Sequence, residues 1–349
     1  MIDLKKAGIN KILIIRLRFI GDVIISTPVI KALKRAYPEL EINYLAEQAP
    51  LEMLKNNPNI KELLLNKKSK SMDLLKTAKE IRSKKFDAVI DVFGNPRSAL
   101  LTLLSGAKYK IGWEIRGRGL CYNTHIVRKD VVDPKDRSDC IEAYEDVLRL
   151  FGLPVSDKKT EIFLSREERD FAKEYAKKIR LDPNKTVVGI QPGSRRGMTL
   201  TWPKEKYAEL IGRLMKEGKQ VLLFGGPKDE AVTREVNQST GSKAFVAEGL
   251  TIRQDAALME LCDCFITNNH GPMHMAVAVE TPTVGIFRPD ETFLWFPYKD
   301  KRFRAIDKAG SCKECVQGEC KDPKCMNEIP VSLLYETANE IIPLKRKNR

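Results

Sequence analysis

No stretch of this 349-residue sequence approaches the roughly 20 uninterrupted apolar residues that a membrane-spanning helix needs. The opening Met1-Ile-Asp-Leu-Lys-Lys6 lacks the apolar core and small-residue cleavage site of a secretory signal. Both absences lead to the expectation of a cytosolic protein. Internal repeats and low-complexity tracts are also missing. No Rossmann glycine fingerprint follows the first apolar run, which counts against a dinucleotide oxidoreductase, and no Gly-Lys-Ser/Thr completes a P-loop. No recognition module and no basic stretch interleaved with aromatics is found, so nucleic acid is not an expected partner.

What is present is an ordinary globular balance, 42% hydrophobic and 31% charged, which excludes a mostly disordered chain. The length exceeds one ordinary core and predicts two domains of about 150 to 200 residues. The net charge of +14 is uneven. Residues 1–155 hold 28 basic against 19 acidic side chains, while four later positive charges sit at Lys345, Arg346, Lys347 and Arg349. A basic first half suits a phosphorylated metabolite or an acidic membrane surface. A solvated, lysine-rich exterior that binds nothing is the alternative.

The hydrophobic pattern alternates strand and helix. Short apolar runs at Lys11–Ile15, Ile42–Leu45, Ala88–Val92 and His125–Val127 read as strands, and Val29, Ile30, Leu33 and Tyr37 recur at helical spacing before Pro38. Helical stretches fall near Ser71–Ser83, Arg97–Leu104 and Cys140–Phe151. After the polar break at 152–159 and a charged helix at Ser165–Ile179, strands recur at Val187–Gln191, Val221–Phe224, Cys264–Thr267 and Thr283–Phe287. Helices at Lys204–Lys216, Ala231–Gln238, Asp255–Leu261 and Met273–Val279 lie between or after them, and Val331–Ile342 closes the pattern. The expected fold is α/β with parallel sheets: a domain over 1–155, a second over 156–330, and a C-terminal helix and basic tail over 331–349.

Four strand ends carry candidate chemistry. Arg16-Leu-Arg-Phe-Ile-Gly-Asp22 leaves the first strand, where a carboxylate can accept a proton from a nucleophilic hydroxyl. Gly21 would allow a tight turn, and the alternative role for Asp22 is a helix cap. Gly193-Ser-Arg-Arg196 follows another strand and offers backbone N–H groups and two guanidinium groups to an anion such as a diphosphate. Gly225-Gly-Pro-Lys-Asp229 places an acid where a ribose hydroxyl can be read, or where a helix can be capped. Asn269-His-Gly-Pro-Met-His274 holds two of the three histidines. Pro272 fits the first helical turn, leaving His270 ahead of the helix and favouring a hydrogen-bonding or structural His274 over a metal pair. Cys312, Cys315, Cys320 and Cys325 are spaced Cys-x2-Cys-x4-Cys-x4-Cys, which suits a structural zinc or iron–sulfur site, or a set of free thiols.

Together these segments resemble glycosyltransferase family 9, the lipopolysaccharide heptosyltransferases. The resemblance is carried by residues 12–28, Asp91-Val-Phe-Gly-Asn-Pro-Arg-Ser-Ala-Leu-Leu101, Gly189-Ile-Gln-Pro-Gly-Ser194, Trp202-Pro203, Phe224–Asp229, Gly271–Ala276 and the cysteine segment at 312–329. It implies a GT-B fold, two Rossmann-like domains facing across a cleft, the first for the acceptor and the second for the donor. The implied reaction is metal-independent, inverting transfer of a heptose from ADP-heptose or a related nucleotide-sugar, with Asp22 as general base. The donor residues it implies are Gly193, Ser194, Arg195, Arg196, Asp229, Asn269, His270, Gly271, Pro272, Met273 and His274. On the acceptor side it implies Arg18, Gly21, Asn95 and Arg97. The implied acceptor is an anionic glycolipid or oligosaccharide, the lipopolysaccharide inner core, met at the inner face of the cytoplasmic membrane.

Three positions depart from the pattern. The family often has an acid before Ser or Thr where this chain has Asn269-His270, a basic residue where it has Leu200, and Gly where it has Arg288. These departures keep two alternatives in view: another sugar nucleotide serving a different surface glycan, or an inactive nucleotide-binding protein on the same shell.

Overall fold

A computed structural model of the chain describes residues 1–67, 71–115, 117–127, 139–154, 157–193, 201–226, 229–308, 320 and 323–345. The chain divides into two compact units, Met1–Phe163 and Leu164–Arg349. Each is built on one six-stranded, fully parallel sheet.

In the first unit the strands are β1 (Lys11–Ile15), β2 (Glu41–Ala46), β3 (Glu62–Leu65), β4 (Ala88–Asp91), β5 (Tyr109–Trp113) and β6 (Thr124–Ile126), in the order β3-β2-β1-β4-β5-β6. Its helices are α1 (Ile20–Ile25), α2 (Thr27–Ala36), α3 (Gln48–Glu52), α4 (Ser71–Ser83), α5 (Pro96–Leu104) and α6 (Cys140–Leu150). The central strand β1 reads Lys-Ile-Leu-Ile-Ile because both faces of a wound parallel sheet are covered, and Ile12 to Ile15 are all buried. Leu13, Ile15, Leu45 and Val89 pack there against Ile81 of α4 and Leu101 of α5.

The second unit begins with α7 (Arg166–Lys178). Its strands are β7 (Val187–Gln191), β8 (Gln220–Phe224), β9 (Phe245–Ala247), β10 (Cys264–Asn268), β11 (Thr283–Ile286) and β12 (Phe303–Ile306), in the order β12-β11-β10-β7-β8-β9. The intervening helices are α8 (Lys204–Lys216), α9 (Glu230–Ser239), α10 (Ile252–Leu261), α11 (Gly271–Ala278) and α12 (Thr292–Trp295), followed by α13 (Lys324–Asn327) and α14 (Val331–Ile341). Val188, Ile190, Val221, Ile266 and Val284 share a core with Leu210 and Leu214 of α8 and Leu334 and Ile341 of α14. The C-terminal helix therefore belongs to the second unit. Two charge pairs fasten α7 to α10: Arg169 to Glu260 at 2.8 and 3.1 Å, and Arg253 to Glu168 at 2.6 and 2.5 Å.

Counted from its own first strand, each sheet has the order 3-2-1-4-5-6 of a doubly wound fold. Strand order reverses between β1 and β4 in one unit and between β7 and β10 in the other. The crevice outside the carboxyl ends of such a strand pair is where ligands bind in open α/β sheets. The polar segment that follows Gly152 stays with the first unit. Lys31 of α2 reaches Asp157 at 3.0 Å and Glu161 at 3.1 Å, and the Glu161 N–H donates to the Thr27 hydroxyl at 3.1 Å.

Candidate active site

In the first unit the chain leaves β1 through Arg16, Leu17, Arg18 and Phe19. Phe19 precedes α1 with φ 69° and ψ 113°, a backbone region that a residue carrying a β-carbon occupies at a cost of about 1–3 kcal/mol. The reversal is made here and not at Gly21, which lies buried inside α1; the expected glycine turn is thus displaced by two residues. Asp22 also falls in the first turn of α1 and not at its cap, so its charge favourably faces the positive end of the helix dipole. The guanidinium of Arg16 hydrogen-bonds the Asp22 carboxylate. It also stacks on Phe93 at 4.5 Å from the ring centroid, with the Phe19 ring at 6.0 Å. Burial alone would lower the Arg16 pKa, but Tyr144 and Asp22 outweigh it and hold it raised. Arg18 is exposed and its Nε donates to Glu47 at 2.8 Å.

The neighbouring loop leaves β4. Asp91 is fully buried, its Oδ1 accepting from the N–H groups of Phe93 and Gly94 at 2.9 Å and its Oδ2 from the Tyr122 hydroxyl at 2.8 Å. Burial pushes the Asp91 carboxyl up, opposed by these same donors. At Gly94, with φ 66°, a residue carrying a β-carbon would be strained. Asn95 caps α5, its side chain accepting from the Ser98 N–H at 2.7 Å. Arg97 donates to Asn66 and to the Lys67 carbonyl, both at 3.2 Å, which joins the loops after β3 and β4.

The second unit gathers four strand ends. A β-carbon on Gly193, just past β7, would lie 2.4 Å from that of Asp229, so the bare glycine makes room for the acid. Asp229 is buried, with Gln191 Nε2 3.4 Å from its Oδ2. His270 precedes α11, and its Nε2 lies 2.7 Å from the Gly193 carbonyl, an acceptor only, so that nitrogen carries the proton. Asn269 is buried and donates to Glu291 at 3.1 Å, and Glu291 is bound in turn by Arg288. Arg288 is therefore neither solvated nor aimed outward; it is buried in a carboxylate pair. Asn268 fixes the base of the loop, accepting from the Trp202 N–H at 3.0 Å and donating to the Pro192 carbonyl at 3.1 Å. Gly271 and Pro272 open α11 half-exposed, whereas Met273 and His274 turn inward. Met273 packs against β11 and His274 shares a 2.6 Å hydrogen bond with the Tyr298 hydroxyl. Burial, and then the charge of His270, depress the His274 pKa to about 3, so this imidazole is neutral.

A family model of glycosyltransferase family 9 (heptosyltransferase) matches residues 74–326, well over half of the sequence. The chain belongs to glycosyltransferase family 9. Lipopolysaccharide heptosyltransferase 3 of Escherichia coli is 26% identical over 348 residues, covering 94% of this chain and 98% of that protein. Among solved structures, a family 9 glycosyltransferase from Veillonella parvula is 25% identical with a TM-score of 0.80, covering 96% of this chain and 97% of the other. The ADP-heptose lipopolysaccharide heptosyltransferase II of E. coli is 23% identical with a TM-score of 0.77, covering 96% and 99%. The two Rossmann-like units are those of the GT-B fold.

Within this family 9 glycosyltransferase, Gly193, Asp229 and His270 come together at the strand ends of the second unit. In the first, Arg18 and Asp22 follow β1 and Asn95 and Arg97 follow the neighbouring β4, each held by other partners, Glu47, Arg16, Ser98 and Asn66. Ser194, Arg195, Arg196 and Leu200 lie outside the described residues, and so do Cys312 and Cys315. Cys320 is half-buried and Cys325 is buried in α13. No group of three or more His, Cys, Asp or Glu side chains is arranged for a metal ion among the described residues. Arg16, Asp91, Phe93 and Glu291 also hold these strand ends together, and none of them is an expected site residue. Arg16, Asp91 and Phe93 lie within conspicuous motifs, but beside their local bonds to Asp22, Phe93 and Gly94 they meet partners distant in sequence, Arg16 stacking on Phe93 and Asp91 accepting from Tyr122.

Proposed function

We propose that the chain transfers a heptose from ADP-heptose to the inner core of lipopolysaccharide, with inversion at the anomeric carbon. The observation that carries this reading is the Arg16–Asp22 pair at the carboxyl end of β1, beside the loop from β4. Asp22 takes the proton of the acceptor hydroxyl while that oxygen forms a bond to the anomeric carbon. The bond from that carbon to the diphosphate oxygen breaks, and ADP leaves. Arg16 orients the carboxylate, while Arg18, Gly21, Asn95 and Arg97 belong to the acceptor side.

The donor falls to the second unit. Asp229 reads the ribose, and the N-terminus of α11 with Gly193, Ser194, Arg195 and Arg196 receives the diphosphate and its developing charge. Asn269, His270, Gly271 and Pro272 line the sugar and phosphates, with Met273 and His274 supporting the helix from beneath. No metal ion is needed for these steps. The four-cysteine segment remains a proposed structural zinc or iron–sulfur site. The relatives named lipopolysaccharide heptosyltransferase, and the neighbour named for ADP-heptose, support the donor and the acceptor class. No helix among the described residues is long and apolar enough to cross a membrane. The basic first unit suits action from the cytoplasm at the anionic inner face of the membrane.

A second reading rests on Asn269, whose amide is engaged by Glu291 where the family often has an acid: transfer of a different sugar to another surface glycan. Purified protein is assayed with ADP-heptose and with UDP-, GDP- and dTDP-sugars on heptose-deficient lipopolysaccharide. Transfer from ADP-heptose alone is the expected result. Transfer only from another donor favours the second reading, and ADP binding without any transfer favours an inactive binding protein.

A further inference from the structure

Phe19 is 56% exposed, and an isolated exposed phenylalanine needs no explanation. This one is not isolated. Its backbone sits at φ 69° and ψ 113°, where glycine would be at ease and an aromatic residue is strained. Strain of this kind persists only where the surroundings impose it, and it concentrates at ligand sites. The surroundings here are definite. The Phe19 ring meets the Phe93 ring edge to face, with centroids 6.4 Å apart and planes at 77°. The Arg16 guanidinium lies beneath both rings and hydrogen-bonds Asp22. A solvent-facing aromatic surface is thus physically joined to the carboxylate that the proposed function uses as base, at the reversal of strand order between β1 and β4.

We infer that Phe19 is an acceptor-positioning residue, its ring forming the platform against which the C–H face of the acceptor's pyranose ring rests so that one hydroxyl lies beside Asp22. The inference rests on the proposed function for the same site. A pyranose has a face of axial C–H groups and a rim of hydroxyls. An apolar ring bordered by a guanidinium and a carboxylate matches both features at once. Leu17 before it and Val23 after it are buried, whereas Phe19, at its positive φ, is left to solvent.

Phe19→Gly removes the ring and suits the backbone, whereas Phe19→Trp keeps an aromatic surface. For Phe19→Gly the acceptor KM on heptose-deficient lipopolysaccharide should rise by about tenfold or more. Its ADP affinity by calorimetry should stay at the wild-type value, and its Tm should hold or rise. Phe19→Trp should recover most of the lost acceptor KM. Its emission should shift on titration with core oligosaccharide released from that lipopolysaccharide, with no donor present. A wild-type acceptor KM in Phe19→Gly, a parallel loss of ADP affinity (a sign of stacking on adenine), or an unresponsive Phe19→Trp emission each overturns the inference. If the wild-type protein transfers no heptose while the Phe19→Trp emission still responds to the oligosaccharide, the proposed function fails and the platform stands.

Discussion

Gly193 and Asp229 occupy one space: a β-carbon on the glycine would come within 2.4 Å of the aspartate's own. The loop after β7 and the entry to α9 can approach each other only because position 193 is bare. Gly193→Ala forces the Asp229 carboxylate aside, at a cost of about 1–3 kcal/mol in stability. The accompanying loss of ADP affinity is expected to be about tenfold. Thermal unfolding and calorimetric titration with ADP check the two effects, and an unaltered ADP affinity would detach Asp229 from the donor.

Asp22→Asn keeps the shape of the side chain and removes its capacity to take a proton. Turnover should fall by about 10²–10⁴, the usual contribution of a positioned general base. ADP affinity should be untouched, because Asp22 belongs to the other unit. Retention of most of the activity would strip Asp22 of the role.

Two titrating groups act on stability with opposite signs. His274 has its pKa depressed from 6.5 to about 3 by burial and His270, so between those values the unfolded chain binds a proton that the folded chain does not. Its contribution is whole above pH 6.5 and declines as pH falls, by about 1.4 kcal/mol per pH unit. Asp255, in the first turn of α10, is pushed up from 3.8 to about 7 by loss of solvent. There the folded chain holds the extra proton, and stability declines as pH rises through that window. Between about pH 4 and 6.5 the two slopes oppose each other. Asp255→Asn should therefore unmask a steep loss of stability on acidification, read from urea midpoints across that range. A flat profile in the variant would contradict the neutral, buried His274.

Arg253 is buried and held bidentately by Glu168. Glu168→Gln removes the charge that compensates it, and the expected destabilisation is about 3 kcal/mol. Replacing both residues with apolar ones of similar volume should restore much of the loss. Denaturant unfolding of the single and double variants makes the comparison.

The central strands were legible because a strand covered on both faces must be apolar throughout: β1, β2, β4, β7, β8, β10 and β11 all coincide with short apolar runs. β3, β5, β9 and β12 were not, and each leaves part of its pattern half-exposed. Three of these four stand at a sheet edge, where one side needs no cover. The candidate loops were legible as turns after strands, where glycine, asparagine and aspartate concentrate, although the same residues also serve as turn formers and helix caps. Their internal wiring was not, because Asn269 finds Glu291 and Arg16 finds Phe93 only once the sheets are wound. Phe19 was illegible for a different reason: nothing in a local pattern announces a phenylalanine where the backbone suits a glycine.

The Asp91 carboxylate directs two of its hydrogen bonds at main-chain nitrogens, those of Phe93 and Gly94. What it fixes is consequently a contour of the peptide, indifferent to which side chain is mounted at position 93. Exchanging Phe93 would therefore spare the path of the main chain, yet it would take from the Arg16 guanidinium the ring on which it stacks and uncover part of the core around Leu13 and Leu101.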